Sequence, residues 1–171
     1  RAWRGAFTDL ETRALDIAVI PIDSAPLRFA MQTLYNEDFV LAMRPDHAFL
    51  SKPTLESYCD SRHLVVSLTG DPKGFVDEVL AREGRSRRVQ LTVPNFMFAF
   101  AILAETDLIC AIPRRFATIY AARFGLGIEN PPLPLSGFRL SAFATKAALS
   151  DDGVAWLLKR LEKVGSLVEE L

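Results

Sequence analysis

The residues best suited to hold a small molecule stand at the ends of short apolar runs. Asn95-Phe96 follows residues 91–93 and Pro94, Ser67 with Thr69-Gly70 ends residues 63–67, and Pro21-Ile22 closes residues 15–21 (LDIAVIP). If each run is a strand, each turn places hydroxyl, amide or bare backbone groups at the mouth of a sheet. Two of the turns open into helices, whose first N–H groups lack internal partners and attract anions. Phe96 or Met97 would supply an apolar wall. The blander alternative makes Asn95 and Asp71 simple helix caps and the phenylalanines core; Phe98 and Phe100 are expected in the core. Arg114-Arg115 follows Pro113 at the end of another apolar run. A guanidinium grips a carboxylate through two parallel N–H groups, although a helix start itself favours negative charge. Either one of the two arginines turns into a cleft, or both face solvent.

Other chemistry finds little support. The chain has no GxGxxG, GxSxG, P-loop or HExxH pattern, so the spacings that build phosphate cradles, nucleophile elbows and zinc sites are missing. His47 and His63 each stand alone and read as structural or solvent-facing, with no metal expected. Asp9, Glu11 and Asp16 read as a solvated face, because helix positions two apart do not face each other. The cluster Arg85-Ser86-Arg87-Arg88 lies between a helix stop and a strand start, and reads as a solvated turn. The chain is not expected to be an enzyme, and no cofactor is expected.

The positioning elements centre on residues 91–116 (LTVPNFMFAFAILAETDLICAIPRRF). They read as strand, turn, helix and strand, followed by Pro-Arg-Arg opening another helix. Residues 96–104 are apolar almost all round, which predicts a helix covered on every side, and flanking apolar strands predict a parallel βαβ unit. Ligands of such units collect outside the carboxyl ends of the strands. Elsewhere, Trp3, Phe7, Leu10 and Ala14 mark one apolar helix face over residues 2–13. Asp71 as N-cap, Pro72 at the first helical position and Gly84 as stop predict a helix ending near Arg82. Residues 34–44, 126–128 and 138–145 read as strands, and 151–164 as a last amphipathic helix. Strand alternating with helix predicts an α/β fold with parallel sheets. Pro45-Asp46-His47 and Pro131 to Pro134 suggest crossings between two lobes.

The totals agree. The chain has 171 residues with 50% hydrophobic and a net charge of −1, enough for one ordinary domain and no basis for nucleic-acid binding by this segment. Cys59 and Cys110 lack metal or redox spacing and read as buried free thiols in a reducing compartment. The longest apolar run is too short to span a membrane, and Arg1 to Arg4 opens no signal core. A cytoplasmic domain without membrane contact is expected.

Four stretches together resemble a known family. They are LDIAVIP, LYNEDFVLAMRPDHAF, the run from GFVDEVLAREGRSRRV through IPRRFA, and SDDGVAWLLKRL. In this order they resemble the effector-binding domain of LysR-type transcriptional regulators, over nearly the whole chain. The resemblance implies a type II periplasmic-binding-protein-like fold, with two Rossmann-like lobes and an effector cleft between them. Residues 1–45 and 139–171 would form lobe 1, and residues 46–138 lobe 2. It further implies effector contacts at Pro21, Ile22, Ser67, Thr69, Gly70, Asn95, Phe96, Pro113 and Arg114, and at Trp3 in the turn opening the chain. The effector expected is a small metabolite such as a carboxylate or aromatic acid. The partners expected are further copies, as a homodimer or homotetramer, and DNA through an N-terminal winged helix-turn-helix.

The chain departs from the family pattern in two ways. No DNA-binding domain is expected in it, and the first strands of lobe 1 are expected to be absent. The alternative from another class is a solute-binding protein of a transporter with the same fold.

Overall fold

The structure, a computed structural model, describes residues 3–169. In chain order these form α1 (Arg4–Glu11), β1 (Ala18–Ile20), β2 (Phe29–Glu37), β3 (Phe39–Met43), α2 (Leu55–Asp60), β4 (Arg62–Val66) and α3 (Phe75–Arg82). There follow β5 (Arg88–Val93), α4 (Phe96–Ala104), β6 (Leu108–Pro113), α5 (Arg114–Tyr120), β7 (Gly127–Glu129), β8 (Phe138–Thr145) and α6 (Asp152–Glu169). The chain divides into two compact units, Arg1–Glu37 with Gly137–Leu171, and Asp38–Ser136. The first crossing therefore precedes the one expected at Pro45. Phe39–Met43 is hydrogen-bonded between β6 and β7 and belongs to the larger unit's sheet. The proline-rich link at 131–134 also lies inside that unit.

The smaller unit holds a three-stranded sheet, β1-β8-β2, in which β8 runs antiparallel to both neighbours. The parallel sheets expected from strand–helix alternation do not extend here. One face carries Ala18, Ile20, Phe29 and Phe143 against Leu10 of α1. Phe7 of α1 reaches the same face, its ring 4.8 Å from Phe29 and 5.4 Å edge-on from Phe143. Of the apolar face expected over residues 2–13, Phe7 and Leu10 pack on this sheet, while Trp3 and Ala14 are exposed and the helix ends at Glu11. The β2 ladder shifts register between Thr33 and Tyr35, and α6 passes there. A Cβ at Gly165 would fall 2.5 Å from the Leu34 carbonyl oxygen, so only glycine lets helix and strand approach so closely.

The larger unit is a five-stranded sheet, β5-β4-β6-β3-β7, covered on both faces. β4 is parallel to β5 and β6, while β3 is antiparallel to β6 and β7. The β5–α4–β6 segment is a parallel crossover with β4 lying between its two strands. Alternate residues sort to opposite cores, as a period of two requires. Val40, Ala42, Cys110 and Ile112 meet Ala99, Phe100 and Leu103 of α4. Leu41, Met43 and Ile109 meet Tyr58, Val76 and Leu80 from α2 and α3.

Two helix expectations need correction. α3 begins at Phe75 rather than Pro72. Asp71 instead accepts from the Lys73 N–H at 2.9 Å, a local turn ahead of the helix, and Gly74 occupies the cap position with its own N–H bound to Asp77 Oδ2 at 2.8 Å. α4 is not covered all round. Phe100 is fully buried, as expected, but Met97 is 44% and Phe98 54% exposed. A helix lying on one sheet face buries only the stripe that faces it, and apolarity on the other side does not create a second layer.

His63 on β4 is wholly buried beside Tyr58, with ring centroids 4.5 Å apart. Its Nε2–H donates to the Tyr58 carbonyl at 2.8 Å, and its Nδ1 finds no partner among the described residues. Burial pushes its pKa down to about 4, against the Tyr58 carbonyl's opposing effect. The folded ring therefore stays neutral where an unfolded chain would bind a proton. Its contribution to stability is complete above pH 6.5 and is lost as pH falls from 6.5 toward 4. Urea unfolding at steps across that window should show a loss of roughly 3 kcal/mol attributable to this ring. The His63→Gln variant should lose that part of the slope; an equal slope in both proteins would contradict the assignment.

Candidate functional site

The parallel strands of the larger unit bring three of the expected turns to one sheet edge. Val66 of β4 pairs with Val93 of β5, and the Ser67 N–H continues the ladder to the Val93 carbonyl at 2.8 Å. The turns after β4 and β5 therefore leave the sheet side by side, and β6 ends at the same edge with Pro113.

The β4 turn is shaped by Gly70 at φ +75°, a left-handed conformation that glycine adopts without steric cost. Ser67 Oγ lies 3.4 Å from Thr69 Oγ1, which also receives the Asp71 N–H at 3.5 Å. Ser67 is half-buried, Thr69 and Gly70 are exposed, and between them Leu68 projects into solvent.

Asn95 caps α4, its Oδ1 accepting from the Phe98 N–H at 2.8 Å. That satisfies one orphan donor, and the first two N–H groups of the helix, on Phe96 and Met97, remain as donors by the ordinary rule for helix starts. Phe96 is half-buried, with its ring 5.7 Å from Phe116.

Pro113 is buried and paired with Phe39 in the β3–β6 ladder. Arg114 is engaged by the protein itself. Its Nε and Nη2 donate to Asp38 Oδ1 and Oδ2 at 2.7 and 2.8 Å, and its backbone N–H donates to the Asp38 carbonyl at 2.9 Å. Nη2 also reaches Asn130 Oδ1 at 3.2 Å. Arg114 thus ties together the first residue of the larger unit and the segment beyond β7. Neither partner was visible in the sequence, since Asp38 lies 76 positions away and nothing local marks it.

The remaining expected residues belong to the smaller unit. Trp3 is partly exposed at the start of α1, its carbonyl accepting from Ala6 N–H at 3.2 Å. Pro21 and Ile22 form a tight turn after β1, closed by Ile22 N–H to the Ile20 carbonyl at 3.0 Å, and Ile22 packs on the core beneath α1. Arg1 and Ala2, the rest of that opening turn, lie outside the described residues.

The arginine cluster at 85–88 is only partly a solvated turn. Arg87, immediately before β5, has a side chain 3% exposed. Its Nε and Nη2 grip Asp77 of α3 at 2.9 and 2.8 Å, and Nη1 stands 3.5 Å from the Tyr58 hydroxyl. Burial raises the Asp77 carboxyl, but the Arg87 and Gly74 N–H bonds outweigh it and hold the group below its usual range. Nothing in the local spacing marks Arg87 apart from its neighbours, since its partner Asp77 lies ten positions away on α3.

Among the described residues, no group of three or more His, Cys, Asp or Glu side chains could hold a metal ion. No helix there is long and apolar enough to cross a membrane.

Comparison with known proteins decides the family. The profile described as LysR substrate binding domain matches residues 2–166. The chain belongs to the LysR substrate-binding domain family. As such it is a ligand-sensing regulatory domain on a periplasmic-binding-protein-like α/β fold, in a family that regulates rather than catalyses. It is 31% identical to the HTH-type transcriptional activator NagR of a Ralstonia species over 87% of its length and 50% of the relative's. It is 30% identical to the activator NahR of Pseudomonas putida, covering 86% of the chain and 50% of that protein. The chain thus spans about half the length of these curated relatives. The regulatory domain of MexT, a transcriptional activator in Pseudomonas aeruginosa, superposes with a TM-score of 0.79 at 32% identity, covering 92% of this chain and 76% of that one.

The Arg114–Asp38 pair in this LysR-family domain is half-exposed at both ends. A double-mutant cycle of Asp38→Asn and Arg114→Met, followed by urea unfolding, should give a coupling of about 0.5–1 kcal/mol, limited by solvent screening. A coupling of zero would mean that the brace does not form in solution.

Proposed function

We infer that this domain senses a small organic acid, a carboxylate or an aromatic acid, at the carboxyl edge of its parallel strands. The observation that carries this reading is the shared edge where the Ser67 to Gly70 turn and the Asn95-Phe96 turn emerge from paired strands. Hydroxyls on Ser67 and Thr69 and the first N–H groups of α4 offer donors to anionic oxygen, and Phe96 offers an apolar wall. Arg114 acts in this scheme as a brace that holds the strand edge. An effector carboxylate reaching it would first have to displace Asp38.

The whole protein, in this reading, is a cytoplasmic transcription regulator. It works as a dimer or tetramer and reads DNA through a separate winged helix-turn-helix domain. Relatives named as HTH-type transcriptional activators support that role. The effector can bias DNA binding only by the difference in its affinity for two arrangements of the protein.

A thermal-shift screen of monocarboxylic, dicarboxylic and aromatic acids tests the reading. An effector at a hundredfold excess over its Kd stabilises the fold by about 3 kcal/mol, which raises Tm by roughly 5–10 °C in a chain of this size. The Asn95→Ala and Ser67→Ala variants should each lose most of that rise. If every acid leaves Tm unchanged, or both variants respond as the parent does, the site is elsewhere.

A further inference from the structure

The larger unit carries an open-mouthed cavity of about 120 Å³ behind the β4 turn. Its inner wall is Leu64 of β4, Val76 of α3 and Cys110 of β6, all at most 2% exposed. Phe39 and Phe75 form one side, their rings 4.5 Å apart. The mouth lies at Ser67, Asp71, Lys73 and Gly74. A sealed apolar cavity of ~150 Å³ accepts benzene, so the space within these walls matches a single ring.

The wall has one buried charged group. Arg87 borders the cavity with its side chain 3% exposed. Three of its N–H groups are directed at Asp77 and the Tyr58 hydroxyl, whereas a guanidinium carries about five. The two that remain, in a buried setting, favour an acceptor atom beside them. Asp77 already neutralises Arg87, so a carboxylate at the inner end would bury an uncompensated negative charge. A neutral oxygen meets no such cost. The Cys110 thiol is pushed up to about 12 by burial, so it stays protonated and serves as a small apolar wall.

We propose that this cavity is a ligand subsite for one neutral aromatic ring bearing a hydrogen-bond-accepting oxygen, with the oxygen turned toward Arg87 and any acidic group left at the mouth near Ser67 and Lys73. The proposal rests on the reading that the Ser67 turn faces an effector, and it names the part of the effector that enters the domain.

The test follows the methyl resonances of Leu64 and Val76 in this chain during titration with benzamide, toluene and 2-naphthamide. Benzamide should move both methyls saturably, with a Kd of about 1 mM or tighter. Toluene, which lacks the acceptor, should bind at least about tenfold more weakly, the worth of one buried hydrogen bond or more. 2-Naphthamide should leave both methyls in place. A Cβ at Gly74 would meet nothing within 4 Å, and its backbone is extended. The Gly74→Leu variant should therefore fold, keep its Tm within a few degrees and lose the benzamide response.

Benzamide leaving the methyls unmoved, or moving them equally in Gly74→Leu, overturns the subsite. Toluene binding as tightly as benzamide overturns the role given to Arg87, and a 2-naphthamide response overturns the one-ring limit. The two readings fail separately. Acids that shift the Ser67 and Asn95 amides while no neutral ring moves Leu64 or Val76 would remove the subsite alone. The reverse pattern would leave the subsite and remove the acid-sensing edge.

Discussion

Parallel pairing of β4 with β5 on one side and β6 on the other is the constraint on which the larger unit depends. Parallel strands end at the same edge, so turns far apart in sequence come to lie side by side without any contact between their own side chains. The Ser67 N–H bound to the Val93 carbonyl extends that register one step beyond the strand. A slip of one residue in β4 would turn Leu64 and His63 to the wrong faces and separate the two turns. Leu64 and His63 are both fully buried, so such a slip would drive the His63 ring into the space that Leu64 fills.

Two arginines hold the periphery of this frame in different ways. Arg87 is buried against Asp77, and Asp77 also receives the Gly74 N–H, so one carboxylate sets both the start of α3 and the guanidinium's position. Removing either partner would strand a charge in the interior, which is far costlier than losing a surface pair. Arg114 and Asp38 are half-exposed, and their pair contributes geometry more than stability. Its backbone and side-chain bonds to Asp38 fix where the chain enters the larger unit, and Asn130 adds the segment beyond β7.

Much of this was legible in the residues. Prolines 94 and 113 mark strand ends, Asn95 caps α4, and residues 138–145 form the strand expected there. These signals are local, each depending on backbone rules at a few neighbouring positions. What escaped was set by pairing across the fold. Asp38 with Arg114 and Asp77 with Arg87 are charge pairs whose partners no spacing rule connects. The antiparallel smaller sheet reflects β8 returning from the far end of the chain. Phe98 escaped for another reason. An apolar helix looks the same in sequence whether one face or two are covered, and here the side carrying Met97 and Phe98 is exposed.

The central claim is that the carboxyl edge of β4 and β5 receives the ligand, and amide shift mapping addresses it most directly. An acid that stabilises the domain should move the backbone resonances of Ser67, Thr69, Gly70, Asn95 and Phe96 before any others in the larger unit. The account is contradicted if the largest shifts fall instead on Asp46, Ser61 and Asp107, which line the groove at the amino ends of the same strands.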